Sequence, residues 1–179
     1  MDLQNRPQAP DPYDSLPPVP AFALTSDDLS DGATMPPPFT AAGGSTSPHL
    51  RWSGFPPPTR GFVLTCFDPD APTPSGYWHW AVVDLAADQT EIAQGAGASD
   101  LTLEGAAFHL RGDNGEHSYM GAAPPAGDRP HRYIFAVHAL DVETLGLTDE
   151  TTPAAASFQA LFHTIARARL TVTYQEPAR

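Results

Sequence analysis

Residues 62–85 read "FVLTCFDPDAPTPSGYWHWAVVDL", two apolar runs separated by a turn that carries three prolines. Phe62 to Phe67 and Tyr77 to Leu85 are dense in β-branched and aromatic side chains, which pack well on a pleated surface and predict one strand each. In the second run, period-two alternation places Tyr77, His79, Ala81 and Val83 on one face and Trp78, Trp80 and Val82 on the other. Both faces are apolar, the pattern of a central strand covered on both sides.

A third core strand is read over "HRYIFAVHALD" (131–141), with His131, Tyr133, Phe135 and Val137 on one face and Arg132, Ile134, Ala136 and His138 on the other. "AFALTS" (21–26) predicts a first strand and Glu91 to Gln94 a short one. Near the C-terminus, Thr152 as N-cap and Pro153 at the first helical position introduce an amphipathic helix read through residue 169. Its apolar face is Phe158, Leu161, Phe162 and Ile165, with Arg167 and Arg169 near its C-terminal end, and "LTVTYQ" (170–175) closes the domain as a strand. Many short strands with one helix predict a mostly β protein: a two-sheet antiparallel β-sandwich with one peripheral C-terminal helix and long loops.

Composition agrees with this reading. Among 179 residues there are 21 prolines and 14 glycines, which favour short strands and turns. Residues 1–20, with six prolines, form an extended N-terminal arm, and 21–179 a single domain. A formal net charge of −12, with nine arginines and no lysine, argues against nucleic acid and anionic membrane as partners. The single Cys66 excludes an intramolecular disulfide and lies in an apolar run, where a buried thiol is expected. No basic start followed by an apolar stretch marks a secretory signal, and no segment reaches the length of a membrane span, so a cytoplasmic protein without stable membrane insertion is expected.

Function concentrates in Asp68, Asp70, His79, His131 and Tyr133. Aspartate before proline is a common turn former. In extended geometry, however, Asp68 and Asp70 would project together, and converging carboxylates share a proton, a cation or hydrogen-bond donors. A lone histidine on an apolar strand is usually a core residue with one nitrogen satisfied. His79 and His131 each enter a core strand behind a rigid turn that could bring them to one rim of a sandwich, and Tyr133 shares the face of His131.

Three enzymatic readings can be weighed. A phosphotransfer aspartate motif is disfavoured by the β-sandwich context and by Pro72, which stands where threonine would be expected. A hydrolytic metal site from Asp68, Asp70, His79 and His131 is chemically sound but lacks a short His-to-His spacing. A Ser-His-Asp hydrolase lacks a G-x-S-x-G element.

The blocks "DPDAP" with "WHW" (68–80) and "PPAGDRPHRY" (124–133) resemble the phosphatidylethanolamine-binding protein family, also called Raf-kinase-inhibitor-like, in its bacterial form. The resemblance runs from about Ala21 to Tyr174 and implies a non-catalytic binding protein with a small anion pocket at one rim of a β-sandwich. Carried onto this sequence, the pocket would be Asp68, Asp70, Pro72, His79, Pro124, Pro125, His131 and Tyr133, with no metal and no cofactor. A phosphate oxygen would meet protonated imidazole, the Tyr133 hydroxyl and backbone N–H groups of residues 122–127. The aspartates would orient the imidazoles or meet a ligand ammonium. Arg132, on the opposite face, is expected to be structural.

The implied partners are a phosphate-containing small molecule or a phosphorylated protein, and the implied role is modulation of a kinase or protease. Two rivals stand beside it. One is a metal- or acid/base-dependent hydrolase built on the same groups, and the other a protein that acts only through an interface, for example as a homodimer.

Overall fold

The two apolar runs pair as antiparallel strands, β3 (Gly61–Asp68) and β4 (Tyr77–Ala86), in the computed structural model, which describes residues 3 and 5–178. Residues 1, 2 and 4 of the arm and residue 179 of the domain lie outside the described residues. Gly76 lets the connecting turn close. It adopts φ +67°, and a Cβ there would lie 2.4 Å from the Phe67 ring and 2.8 Å from the Asp68 carbonyl oxygen.

β3 and β4 sit inside a five-stranded antiparallel sheet of order β6-β4-β3-β7-β8, completed by β6 (Phe108–His109), β7 (His131–Leu140) and β8 (Thr164–Tyr174). A second antiparallel sheet, of order β1-β2-β5, consists of β1 (Ala23–Thr25), β2 (Leu50–Ser53) and β5 (Glu91–Ile92). One face of the large sheet supplies Phe62, Leu64, Cys66, Trp80, Val82 and Phe135 to a core shared with Leu24, Leu50, Trp52 and Ile92 of the small one. Fully burying a side chain of this size contributes about 1.5–3 kcal/mol, so this layer supplies most of the driving force. The architecture is the two-sheet, mostly β fold with one helix that the strand pattern predicts. Among the described residues no helix is long and apolar enough to cross a membrane.

The other face of the large sheet packs Val63, Ala81, Val83 and Leu140 against Ala156 and Ala160 of α1 (Pro153–Leu161), whose N-cap Thr152 accepts from the Ala155 N–H. The helix therefore ends eight residues short of the expected 169. From Thr164 onward the chain is β8, because the alternation of Ala166, Ala168, Leu170 and Val172 with Arg167, Arg169, Thr171 and Thr173 has period two, and the odd set is the one that faces away from the core. Phe158 and Phe162, expected on the buried face of the helix, are instead 65% and 68% exposed. The small residues Ala156 and Ala160 take the buried stripe and allow close approach to the sheet.

A second correction concerns β4. Cys66 pairs with Trp80 but Phe67 pairs with Trp78, so His79 is an extra residue in the ladder, a β-bulge. The bulge breaks the expected parity. Trp78 turns to the outer face, its ring 4.5 Å from Phe67, while His79 and Trp80 both serve the inner side.

The arm docks on the large sheet. Its 3₁₀ turn (Pro12–Ser15) is capped by Asp11, and Tyr13 lies beneath the guanidinium groups of Arg167 and Arg169.

Candidate functional site

At one rim of the sandwich a cavity of about 240 Å³ opens where three strand ends meet. β3 delivers Asp68, β4 delivers Tyr77 and the bulged His79, and β7 delivers His131. The turn after β3 adds Ala71, Pro72 and Thr73, and the loop before β7 adds Met120, Ala123 and Pro125. Of the residues expected from the sequence, Asp68, Pro72, His79, Pro125 and His131 line the cavity together. Pro124 does not reach its wall, and Tyr133 stands behind it, its ring 5.1 Å from that of His79. The Tyr133 hydroxyl is buried without a formed hydrogen bond, the backbone of Ala123 being the group that approaches it. Burial first, and the Asp68 charge second, push its pKa up.

Asp68 and Asp70 do not converge. The chain turns at Pro69, so Asp68 Oδ1 accepts from the Asp70 N–H (2.8 Å) and the Ala71 N–H (3.0 Å), which ends the extended geometry that parity presumes. The Asp70 carboxylate then lies on the far face, where Oδ2 accepts from Arg132 Nε (2.7 Å) and N (3.0 Å) and Oδ1 from Arg132 Nη2 (2.9 Å). Arg132 also donates to the Ala9 carbonyl of the arm, the structural role expected for it.

His131 is held from both sides. Its Nδ1 meets Asp68 Oδ2 at 2.7 Å and its Nε2 meets Asp128 Oδ2 at 2.9 Å, all three groups being buried. Burial opposes the charged ring, but the hydrogen bonds and charges of Asp68 and then Asp128 outweigh it and raise the pKa. With both N–H groups spent on carboxylates, the His131 imidazolium has no proton left to offer a phosphate oxygen, contrary to expectation.

Arg6 of the arm donates from Nη2 to the same Asp128 Oδ2 (2.6 Å) and to the Asp70 carbonyl oxygen (2.8 Å). Asp68, Asp70 and Asp128 thus face Arg6, Arg132 and His131, a set whose charges balance when the ring is protonated. Sequence reading missed Asp128 and Arg6. Asp128 stands three residues before His131 and could have been suspected from that spacing, whereas Arg6 is 122 residues away from Asp128 and carries no local signal.

Residues 25–175 match the family model of the phosphatidylethanolamine-binding protein. The chain belongs to this family. It is 42% identical over 156 residues to the UPF0098 protein YbhB of Escherichia coli, covering 84% of this chain and 98% of that protein. The crystal structure of Escherichia coli YbcL, described as a new member of the mammalian family, superposes with a TM-score of 0.84 at 38% identity, covering 86% of this chain and 98% of YbcL. A homologue from Chlamydia trachomatis, CT736, superposes with a TM-score of 0.75 at 31% identity over 87% of this chain and 98% of its own.

In this phosphatidylethanolamine-binding protein relative, the groups still able to donate to a ligand anion are therefore His79, Tyr77 and backbone N–H groups, the Thr73 hydroxyl being spent on the Gly76 carbonyl oxygen. His79 Nδ1 lies 2.9 Å from the Met120 carbonyl oxygen, to which it donates, so in the neutral ring the lone pair is on Nε2. Burial lowers its pKa, with the Met120 bond and the Asp68 charge working against that shift. Among the described residues no three of His, Cys, Asp and Glu are grouped as metal ligands. The four donors of the metal reading are dispersed because Asp70 is turned away and both nitrogens of His131 already hold carboxylates.

Proposed function

We propose that the chain is a non-catalytic binding protein whose rim cavity takes a phosphate-bearing or phosphoethanolamine-like group, offered by a small molecule or a phosphorylated protein, and that it modulates a kinase or protease through that contact. One observation carries the reading: Asp68, locked to His131, shares the wall of a cavity of about 240 Å³ with His79 and Tyr77. Drug-sized ligands occupy about 300–1,000 Å³, so the space suits a headgroup and not a whole lipid. Asp68 Oδ2, which meets only His131 Nδ1, retains a lone pair for an ammonium. The phosphate end meets His79 and Tyr77. An incoming dianion favours the charged His79 ring that burial alone disfavours, so binding takes up a proton and tightens as pH falls while the phosphate keeps its charge.

The test is calorimetric titration of phosphate and phosphoethanolamine at about pH 5.5 and 7.5, into wild type, His79→Ala and His131→Ala. Tighter binding of the zwitterion, stronger at the lower pH and lost in His79→Ala, supports the reading. Equal binding at both pH values that survives His79→Ala overturns it.

A further inference from the structure

On the opposite face of the large sheet a second cavity, of about 190 Å³, lies between the docked arm and α1. It is lined by the tilted ring pair of Phe67 and Trp78, 4.5 Å apart on the sheet, by Leu161 of α1, by Leu16 and Tyr13 of the arm and by Arg167 of β8. The Ser157 and Thr164 hydroxyls in its wall are already engaged. Ser157 donates to the Pro153 carbonyl oxygen and Thr164 to that of Ala160.

Arg167 is the exception. Its Nε donates to His138 Nδ1 at 3.3 Å, while its two terminal amino groups meet no acceptor among the described residues. Among the described residues no carboxylate stands within 4.0 Å of it, although its neighbour Arg169 is paired with Asp11 at 2.8 Å. The face of Tyr13 is divided between the two guanidinium groups, at 5.1 and 5.3 Å. His138 adds no negative charge: burial, and then Arg167 itself, hold its pKa down to about 3. A partly buried guanidinium with no counter-ion among the described residues, in the wall of an apolar slot, lacks the planar anion that its fork of donors matches.

We propose that this cavity is a second binding site, for a small amphiphile with one aromatic ring or an apolar body of that size and a single carboxylate, its body over Phe67 and Trp78 and its carboxylate on the terminal amino groups of Arg167. Volume sets the size. A dry cavity of roughly 150 Å³ holds benzene, so this one takes one ring with a short acid side chain and excludes a long acyl chain. One guanidinium without a partner selects a monoanion. The site shares no lining residue with the rim cavity, so it stands or falls independently of the function proposed above.

Phenylacetate and its neutral counterpart phenylacetamide are the probes, titrated into the full chain by calorimetry and followed at the indole resonance of Trp78. Saturable binding of phenylacetate that shifts Trp78, is roughly tenfold tighter than that of phenylacetamide and falls to the phenylacetamide level in Arg167→Gln is the expected result. Leu161→Trp fills the slot from the helix side and must abolish binding of both probes, which keeps the test decisive should Arg167→Gln fail to fold. Equal affinity for the two probes, an unchanged phenylacetate affinity in Arg167→Gln or no shift of Trp78 at millimolar probe overturns the proposal.

Discussion

The two aspartates of the Asp-Pro-Asp turn flank one proline and are equally buried, each 2% exposed, yet they occupy different electrostatic regimes. Asp70 faces a guanidinium that stays charged at every physiological pH and binds it through both oxygens. Asp68 faces an imidazole whose charge depends on pH, and it does so on the wall of the rim cavity. The turn thus separates a permanent clamp, which ties β3, β7 and the arm together, from an adjustable pair at the site. A pH-dependent binding pocket needs that separation, because protonation changes at the site would otherwise loosen the strand ends that shape it.

The largest expected effect comes from breaking the clamp. Asp70→Ala leaves Arg132 without its carboxylate at a mostly buried position and is expected to cost about 3 kcal/mol of stability, measured by chemical denaturation at neutral pH. In the folded protein, phosphoethanolamine affinity should stay within about threefold of wild type, because only the Asp70 backbone touches the site. A small stability loss with abolished binding would reverse the assignment of the two aspartates. Burial works against the Asp70 carboxylate, but Arg132 holds its pKa below the usual range. The clamp is therefore fully present above about pH 4 and is lost as pH falls through the lowered native value.

The adjustable pair has the opposite sign. The native pKa of His131 is raised, so its contribution is complete below about pH 6.5 and disappears as pH rises through the native value. Asp68→Asn keeps an acceptor for the turn but removes the charge. The expected outcome is a fall in the His131 titration midpoint, read by NMR, and a loss of about 1–2 kcal/mol at acidic pH that shrinks above neutrality. His138, held neutral by burial, contributes in the reverse direction, so the difference between wild type and variant, not the raw stability curve, is the readout. A pH-independent difference would mean that Asp68 acts only as a turn residue.

How much of this could be read in the sequence follows from the range of the interactions. Strand periodicity placed the inner face of β7 correctly, with His131 and Tyr133 together, because nothing interrupts its ladder before Ala139. The same rule failed at His79 and at Asp70, where a bulge and a turn each break period two within a residue or two of the site. The expected helix runs too long because Phe158, Leu161, Phe162 and Ile165 match a helical stripe, while the equally clear alternation from Ala166 to Val172 claims residues 166–169 for the strand. Asp128 is close to His131 in sequence, but a turn before the strand hides which way it points, and the role of Arg6 rests on a tertiary contact 122 residues long.

Arg6 offers the finest test of the separation between clamp and site, since it touches both. Its Nη2 bonds the Asp70 carbonyl oxygen and shares Asp128 Oδ2 with His131 Nε2. Two cations thus compete for one carboxylate oxygen, and removing Arg6 leaves Asp128 to His131. Arg6→Ala is therefore expected to raise the His131 titration midpoint by a few tenths of a unit, as a nearby like charge is removed. Stability should fall by less than in Asp70→Ala, because Asp128, although buried, keeps the His131 ring and the Arg129 N–H as partners and its charge is not left unpaired. A midpoint that falls instead would show that Arg6 acts by holding the Asp128 carboxylate against the ring, and the docked arm would then belong to the site and not only to the clamp.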